Sequence, residues 1–356
     1  MKEALEAAEV PGIGEPLERV GKVRRADVEE GRTRVEIELG FPFESLRAEL
    51  EARLREAIRA QAPIEQLELA LESRIVPHGV QPNLKPLPNV ANIIAIASGK
   101  GGVGKSTTAV NLAAALARDG ASVGVLDADI YGPSMPAMLG LAGRRPTSRD
   151  GKTMIPLEAH GLQVMSIGFL IDPDQPMVWR GPMVTQALNQ LLQQTEWSEL
   201  DYLVVDMPPG TGDIQLTLSQ RVPVSGAVIV TTPQDIATLD ARKGLQMFRK
   251  VSVQVLGIVE NMSTHVCTRC GHEEAIFGSG GGARMAEEYG VELLGQIPLD
   301  VTIREQTDSG RPSVVADPDG PIAGAWLRTA RRMSARLAMQ GKDYSRRFPN
   351  IVVEDD

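Results

Sequence analysis

The sequence predicts an α/β protein in which a mainly parallel sheet is covered by helices on both faces and is preceded by a small α+β domain. Hydrophobic residues make up 42% of the 356 residues but aromatic residues only 4%, which suits closely packed sheets of aliphatic side chains. After residue 91, six short aliphatic runs alternate with helical stretches, as in parallel strands buried on both faces. The runs are Ile93–Ala97, Val123–Leu126, Leu162–Ile167, Tyr202–Val205, Ala227–Val230 and Val253–Val259.

Residues 1–76 have a different pattern, which predicts a separate small domain of order β-β-α-β. Apolar residues first alternate with charged ones, as in a half-buried strand. They then recur every four residues, as in an amphipathic helix. The predicted elements are strand Val20–Val28, turn Glu29–Arg32, a strand through Val35, Ile37 and Leu39, a helix through Leu46, Leu50, Leu54 and Ile58, and strand Ile64–Leu71.

Residues 77–90 hold four prolines and almost no apolar periodicity, which predicts a linker. The main domain then covers 91–345, and a polar, acidic-ended tail covers 346–356. Within the main domain we expect a surface excursion at 141–160, a flexible or phosphate-like loop at 278–282 and a final helix over about Ile322–Met339.

Charge and cysteine content exclude several classes of protein. Lys and Arg number 37 and Asp and Glu 46, so the net charge of −9 argues against nucleic acid as the main ligand. The first ten residues do not resemble a secretory signal, and no apolar run is long enough to span a bilayer. Two cysteines three positions apart are not a secreted disulfide framework. We therefore expect a cytoplasmic protein without a membrane partner.

A phosphate-binding loop follows the first predicted strand of the main domain. The residues are Gly99-Lys100-Gly101-Gly102-Val103-Gly104-Lys105-Ser106-Thr107, and a helical stretch comes next. This is the G-x-x-x-x-G-K-S pattern of a Walker A motif in its strand–loop–helix context. Backbone amides of the loop and the helix N-terminus attract phosphate oxygens. We expect ATP here, with Lys105 on the β- and γ-phosphates, Ser106 on Mg²⁺ and Thr107 near the α-phosphate.

A dinucleotide-binding interpretation competes with this one. Gly99, Gly101 and Gly104 also fit G-x-G-x-x-G, and Asp127 ends the next strand at a suitable distance. A dinucleotide fold does not need Lys-Ser after the third glycine, whereas both residues are present here. The pattern therefore favours a nucleoside triphosphate.

Acidic residues follow two further predicted strands. Asp127 and Asp129 end one strand, and Asp206 ends another in the Walker B pattern of four apolar residues and an aspartate. Carboxyl ends of parallel strands line one crevice, so these carboxylates face the phosphate loop. We expect Asp206 to hold Mg²⁺ through water. An alternative for the Asp127–Asp129 pair is that one member only caps a turn.

The residues after Asp206 predict a switch segment. Gly210 and Gly212 allow a backbone N–H to approach the γ-phosphate, and Asp213 completes the segment. After the strand Val253–Val259, Asn261 either offers its amide to the adenine edge or supports a strand-end turn. Spacing alone does not separate these two roles.

Cys267 and Cys270 form a C-x-x-C pair directly after that strand. Three interpretations are open. His265 and His272 complete an in-chain zinc set, or the thiols are a redox pair, or a two-fold dimer supplies four thiolates to a 4Fe–4S cluster. The dimer interpretation is favoured.

The loop and switch motifs together resemble those of a known group of ATPases. The segment Lys100–Thr107 is similar to the deviant Walker A of the MinD/ParA/nitrogenase-iron-protein class. That resemblance implies that Lys100 reaches the partner's phosphates across a dimer. It also implies that Asp129 orients the attacking water and that Asp127 supports both Asp129 and Lys100.

More specifically, residues 88–312 are identified as resembling the Mrp/ApbC family. The motifs are SGKGGVGKST from Ser98, LDADIYGPS from Leu126, WRGPM from Trp179, VVDMPPGTGD from Val204, TTPQ from Thr231 and VENMS from Val259, followed by C-x-x-C-G-H. The resemblance implies ATP binding and slow hydrolysis. It also implies a homodimer that bridges a 4Fe–4S cluster, with apo iron–sulfur proteins and assembly scaffolds as partners.

Residues 1–76 resemble the iron–sulfur assembly domain that is fused to this family. Relatives often carry a Pro-Gly-Cys-Pro turn before the helix, whereas this chain has Gly40-Phe41-Pro42-Phe43. The substitution predicts docking or spacing rather than cluster binding for this domain.

A positioning ATPase like MinD or ParA, with a structural zinc at C-x-x-C, is the second functional hypothesis. Its marker is a membrane- or DNA-binding surface. The last helix carries Arg328, Arg331, Arg332 and Arg336 beside Trp326 and Leu327. The acidic tail instead favours a packed terminal helix.

Overall fold

The computed structural model describes residues 1–29, 32–61, 66–82, 84–171, 181–267 and 269–341. The strands are β1 (Gly21–Glu29), β2 (Arg32–Leu39), β3 (Gln66–Ser73), β4 (Val90–Ser98), β5 (Val123–Asp127), β6 (Leu157–Ala159), β7 (Leu162–Ser166), β8 (Leu200–Asp206), β9 (Gly226–Thr231), β10 (Val255–Asn261), β11 (His265–Val266), β12 (Glu273–Glu274) and β13 (Glu292–Ile297). The helices are α1 (Lys2–Glu6), α2 (Leu17–Val20), α3 (Arg47–Arg59), α4 (Lys105–Arg118), α5 (Met135–Met138), α6 (Gly181–Gln193), α7 (Asp213–Arg221), α8 (Asp235–Lys250), α9 (Gly281–Tyr289), α10 (Val301–Asp308), α11 (Ser313–Ala316) and α12 (Pro321–Ala338).

An eight-stranded sheet in the order β13-β10-β9-β4-β8-β5-β7-β6 forms the main domain. Its neighbouring strands pair in parallel, except that β6 runs antiparallel to β7. The strands are almost wholly aliphatic and buried, because helices cover both faces. The predicted fold class is confirmed.

All six predicted strands of the main domain are present, as β4, β5, β7, β8, β9 and β10. The two edge strands β6 and β13 were not predicted. β6 lies inside the stretch 141–160, so that stretch is not wholly an excursion from the sheet. The final helix is α12, within one residue of its predicted bounds.

The N-terminal sheet has the predicted ββαβ order. β1 and β2 pair antiparallel, and β3 adds to β2 in parallel. The alternating residues of β2 pack on the apolar face of α3, in a hydrophobic cluster distinct from that of the main domain. The short helices α1 and α2 were not predicted. Parts of the predicted turn at 29–32 and the start of the predicted strand at Ile64 lie outside the described residues, as do Trp179, Arg180 and the tail 346–356.

The predicted linker 77–90 is anchored to the main domain. The amide of Gln81 donates from Nε2 to the carbonyl oxygens of Ser219 (2.7 Å) and Val222 (2.9 Å), and its Oε1 accepts from the backbone N–H of Val224 (2.9 Å). Gln81 is only 5% exposed. Gln81 therefore fixes this strap to the main domain, and the last residue of the strap, Val90, begins β4.

A buried ion pair joins the N-terminal domain to α4 and α12. Asp119 caps the C-terminus of α4, where the helix dipole disfavours a carboxylate. It accepts hydrogen bonds from Arg331 Nε of α12 (2.7 Å), from the backbone N–H of Ser45 (2.9 Å) and from the Ser45 hydroxyl. The Asp119 side chain is 1% exposed and that of Arg331 11%. These bonds offset the unfavourable position and connect three segments.

Replacing Asp119 by alanine leaves the Arg331 guanidinium buried and unpaired. We expect Asp119→Ala to lower the free energy of unfolding by about 3 kcal/mol, because breaking a buried pair removes more than one hydrogen bond. The matched control is Asp319→Ala, since Asp319 pairs with Arg118 at the surface with 91% of its side chain exposed. That change should cost about 0.5 kcal/mol or less. Urea unfolding measures both, and equal effects would contradict the assignment.

Candidate functional site

The loop between β4 and α4 has the conformation that its glycines allow. Gly102 and Gly104 have φ angles of +80° and +81°, in the left-handed region. A Cβ on Gly99 would lie 2.1 Å from the carbonyl carbon of Asp240, so α8 packs directly against this glycine. The loop therefore wraps closely at the carboxyl end of the central strand, as its motif predicts.

Lys105 lies between two carboxylates that the sheet brings together. Its Nζ atom is 2.6 Å from Asp206 Oδ1 and 3.5 Å from Asp129 Oδ2. Lys105 is 6% exposed, Asp129 8% and Asp206 0%. Burial raises the pKa of Asp206, while the Lys105 ammonium and the Ser106 hydroxyl oppose that shift. The sequence placed these residues at strand ends, and the structure brings them together.

Two carboxylate oxygens in this cluster are buried and have no hydrogen-bond partner among the residues that the structure describes. They are Asp206 Oδ2 and Asp129 Oδ1. A buried acceptor without a partner is costly, which suggests a ligand that supplies one. Asp206 Oδ2 and the Ser106 hydroxyl are oxygen ligands of the kind that Mg²⁺ binds directly or through water. The residues present therefore fit a magnesium ion.

Asp127 lies deeper, and its contacts are structural. Its oxygens accept from the backbone N–H groups of Asp129 (3.2 Å), Ser134 (3.1 Å) and Met135 (3.1 Å), and from the Ser166 hydroxyl (2.9 Å). Burial, with a smaller effect of nearby Asp206, raises the pKa of Asp127 to about 7. Asp127 thus holds the turn that positions Asp129. Ser166 was missed by the sequence reasoning, because no local motif marks it.

Lys100 is half-buried in the loop. Within the described part of the chain, its ammonium makes no hydrogen bond or ion pair, and nothing joins it to Asp127 as the resemblance implied. Ser98 Oγ donates to the Lys100 backbone carbonyl at 2.9 Å, which fixes the backbone while leaving the ammonium available.

The predicted switch segment is docked against the end of β4. Gly210 has a φ of +96°, and its backbone N–H donates to the Ser98 carbonyl at 3.0 Å. Gly212 is the N-cap of α7 and Asp213 is its first residue. The amide that was predicted to approach the γ-phosphate thus contacts the strand that leads into the loop.

Asn261 contacts the phosphate loop itself. Its Nδ2 donates to the Val103 carbonyl at 2.9 Å, and the residue is 6% exposed. A Cβ on Gly104 would lie 2.1 Å from the same nitrogen. The amide that sequence reasoning offered to the adenine edge is therefore engaged by the loop.

In the glycine-rich loop at 278–282, one backbone amide is engaged by a carboxylate of the same chain. Glu260, 0% exposed, accepts the backbone N–H of Gly282 at 2.6 Å and the Gln296 amide at 2.7 Å. This carboxylate lies at the N-terminal end of α9, where the helix dipole favours an anion. The phosphate-like interpretation of this loop stays a prediction.

The cysteine pair lies in the short hairpin β11–β12. The backbone N–H of Cys267 donates to the His272 carbonyl and that of Gly271 to the Cys267 carbonyl, both at 2.9 Å. Cys267 is partly exposed and Cys270 exposed. Hydrogen bonds from the backbone N–H groups of Arg269 and Cys270 lower the pKa of the Cys267 thiol, which favours the thiolate that binds metals.

An in-chain zinc set is not assembled around these thiols. Across the residues that the structure describes, no three His, Cys, Asp or Glu side chains lie close enough to hold a metal ion. The Nδ1 atom of His265 is 3.0 Å from the Leu299 carbonyl, so it carries a proton and donates. Among its described residues, the hairpin thus presents two thiols and no set of three metal ligands.

Two parts of the chain match known protein-family models. Residues 89–334 match the family model described as NUBPL iron-transfer P-loop NTPase. The chain belongs to that family. Residues 2–68 match the model of an iron–sulfur cluster assembly protein. The resemblance predicted from the motifs is confirmed for both parts of the chain.

Individual relatives agree with the family. An iron–sulfur cluster carrier protein of Pseudomonas fragi is 60% identical over 271 residues, covering 76% of this chain and 94% of the relative. Another, of Deinococcus radiodurans, is 44% identical over 337 residues and 95% of each chain. A nucleotide-binding protein of Archaeoglobus fulgidus, solved with ADP, is 37% identical with a TM-score of 0.58, covering 67% of this chain and 91% of that one.

The described residues contain no helix that could span a membrane. None of their helices combines the length and the apolar character that a bilayer span requires.

The raised pKa of Asp127 predicts a pH dependence of stability. Between about pH 4 and pH 7 the folded protein keeps a proton that the unfolded chain releases, so this group's stabilisation is lost as the pH rises through 7. We expect Asp127→Asn to show a smaller loss of unfolding free energy between pH 5 and pH 8 than the parent. Urea unfolding at both pH values measures this, with the exposed Asp319→Asn as control. Parallel profiles for parent and Asp127→Asn would contradict the shift.

Proposed function

We propose that this protein is an ATP-hydrolysing carrier that binds a 4Fe–4S cluster between two copies of the chain and passes it to apo-proteins. The observation that carries the proposal is the hairpin thiols at Cys267 and Cys270, which follow β10 at the sheet edge that also holds the phosphate loop. The names of the relatives, which describe iron–sulfur cluster carriers, support it.

The nucleotide-binding part of the proposal rests on the group of charged side chains around Lys105. Loop amides from Gly99 to Thr107 bind the phosphates, and Lys105 exchanges its contact with Asp206 for the β- and γ-phosphates. Ser106 and Asp206 hold Mg²⁺, which neutralises phosphate charge when bound. Asp129 accepts a hydrogen bond from the attacking water and orients it. Because Asp129 and Asp206 are buried on either side of one ammonium, their positions are fixed before ATP binds.

Lys100 serves the partner subunit. Its ammonium is exposed enough to leave the loop and has no described partner in its own chain. A cation brought across a dimer to the γ-phosphate stabilises the charge that develops in the transition state. This role ties hydrolysis to dimerisation. The switch residues Gly210, Gly212 and Asp213 would report the nucleotide state to α7.

The iron–sulfur part of the proposal rests on the number of thiols in each chain. A 4Fe–4S cluster is held by four thiolates, and each chain supplies two from one turn. A two-fold dimer therefore completes the set. The exposure of Cys270 leaves the cluster accessible to apo iron–sulfur proteins and assembly scaffolds. Free thiols also suit a reducing compartment such as the cytoplasm.

Residues 1–76 are proposed as a docking domain rather than a second cluster site. At 40–43, where a cysteine turn would stand, Phe41 and Phe43 are 0% and 1% exposed and pack edge to face. The loop is thus part of the domain core. In the proposed arrangement the domain, the strap at 77–90 and the ATPase domain at 91–345 act as one body.

A positioning ATPase that binds membrane or DNA through the last helix has less support. Arg331 pairs with Asp119, Arg332 donates to the Gly12 carbonyl, and Arg336 pairs with Glu15 and Glu292. Trp326 is fully buried. These side chains hold the helix in place and leave little free charge for an anionic surface.

Alanine substitutions of the two lysines in the phosphate loop should have different effects on ATP binding and turnover. Lys105→Ala should remove most ATP binding, because the loop loses its β/γ-phosphate cation. Lys100→Ala should keep ATP affinity within about threefold but reduce turnover by 10³ or more, the range of a trans-acting arginine finger being about 10³–10⁵. ATP affinity by calorimetry and phosphate release measure the two. Normal hydrolysis by Lys100→Ala would refute the trans role.

The bridging model predicts the metal content of cysteine variants. Anaerobic reconstitution with iron and sulfide should give about four iron atoms per dimer of the parent. Cys267→Ala should lose them and His272→Ala should keep them, while both retain ATP hydrolysis. Metal and sulfide analysis on size-separated monomer and dimer measures this. One zinc per isolated monomer, lost in His272→Ala, would favour the in-chain site instead.

A further inference from the structure

The end of β10 connects the phosphate loop to the cysteine hairpin by a short path. Asn261, the last residue of β10, donates to the Val103 carbonyl inside the loop at 2.9 Å. Cys267 follows six residues later in the same segment. The contact is tight, because the Asn261 amide lies against Gly104 at a distance that excludes any side chain there. A movement of the Val103–Gly104 peptide must therefore displace Asn261.

The six residues after Asn261 have little freedom to absorb such a displacement. The backbone N–H of Ser263 donates to the Ile297 carbonyl (2.9 Å), and the backbone N–H of Leu299 donates to the Thr264 carbonyl (2.7 Å). The His265 ring donates from Nδ1 to the Leu299 carbonyl (3.0 Å). The segment is thus fastened along β13 and the residues after it, up to the start of the hairpin.

The residue before Asn261 is fastened as well. Glu260 accepts hydrogen bonds from the start of α9 and from Gln296 of β13, and it is fully buried. The carboxyl end of β10, the start of α9 and the end of β13 therefore form one hydrogen-bonded unit. This unit touches the phosphate loop through Asn261 and ends in the turn that bears both thiols.

We propose that Asn261 is a positioning residue that couples nucleotide occupancy of the phosphate loop to the conformation of the Cys267–Cys270 turn. Phosphate binding at the loop amides shifts the Val103 carbonyl, and Asn261 transmits the shift along the fastened segment to the hairpin. The inference rests on the proposed function and adds its regulation. This route runs through β10 and does not require the switch at Gly210.

Coupling of this kind is reciprocal. If ATP changes the affinity of the thiol turn for a metal by some factor, then metal loading of the turn changes the affinity for ATP by the same factor. Typical couplings between sites amount to about 5- to 150-fold. The connection is short and direct, so an effect of about fivefold or more is expected in the parent.

Alkylation of the thiols tests the coupling without a cluster. The reduced, metal-free full-length protein is treated with iodoacetamide, with and without saturating ATP and Mg²⁺, and modification of Cys267 and Cys270 is followed by mass spectrometry. The parent should show alkylation rates that differ by about fivefold or more between the two conditions. In Asn261→Leu, which keeps the side-chain shape but lacks the N–H donor, the ratio should fall close to one. ATP saturation is verified for each variant by direct binding.

A second variant cuts the path at its other end. His265→Ala removes the ring that fastens the hairpin to the Leu299 carbonyl but leaves the Asn261 contact intact, so ATP affinity should stay at the parent value while the alkylation ratio falls. His265→Asn, which restores a donor, should recover part of the ratio. If Asn261→Leu fails to bind ATP, this pair carries the test.

The outcomes separate this inference from the proposed function. A parent ratio of one, or a parent-like ratio in both Asn261→Leu and His265→Ala with ATP bound, would overturn the coupling even if a cluster assembles on the dimer. Failure of the cluster to assemble, with the ATP-dependent alkylation ratio intact and sensitive to Asn261, would overturn the carrier function and leave the coupling standing.

Discussion

The parallel alignment of the sheet is the constraint on which the functional geometry depends. Because β4, β5, β8 and β10 run in the same direction, their carboxyl ends meet at one edge. Residues that are far apart in the chain, Lys105, Asp129, Asp206 and Asn261, are thereby collected around a single loop. If one of these strands were reversed, its polar end would lie at the opposite edge, and its side chain would no longer meet the others.

Charge balance within that edge follows from burial. The carboxylates of Asp129 and Asp206 lie within 3.5 Å of the buried Lys105 ammonium, and the fully buried carboxyl group of Asp127 lies close enough to Asp206 to be affected by its charge. The structure relieves the excess negative charge in two ways. Lys105 pairs with Asp129 and Asp206, and burial raises the pKa of Asp127 to about 7, which favours its protonated form. Asp127 can then hold a turn through hydrogen bonds, while Asp129 and Asp206 each keep one oxygen without a described partner for a ligand.

What the sequence predicts depends on how local the signal is. The phosphate loop is encoded in nine consecutive residues, Asp206 directly follows an apolar run, and Asp129 stands two residues after the aspartate that ends another, so their placement could be predicted. Asn261 was placed near the nucleotide, but its partner Val103 lies 158 positions away, and no spacing identifies such a contact. The same holds for Ser166 on Asp127 and for Asp119 on Arg331.

The structures of edge strand β13 and of the loop at 278–282 were hard to predict for other reasons. β13 is short and only part of it is fully buried, so its apolar pattern is weak. The glycines at 278–282 resemble a phosphate loop in composition, but composition does not show that Glu260 contacts the backbone N–H of Gly282, because Glu260 lies 22 residues earlier at the end of a strand.

The last helix has a consequence for the order in which the chain folds. Ala335 of α12 is part of the hydrophobic core of the N-terminal domain, together with residues such as Leu5 and Leu50, and Met339 packs against it. Gly40 lies so close to Ala338 that a Cβ there would be 2.9 Å from it. During synthesis, therefore, the N-terminal domain lacks part of its own core until α12 has been made. That helix begins at Pro321, 248 residues after β3 ends at Ser73, so the small domain cannot complete its packing independently of the main domain.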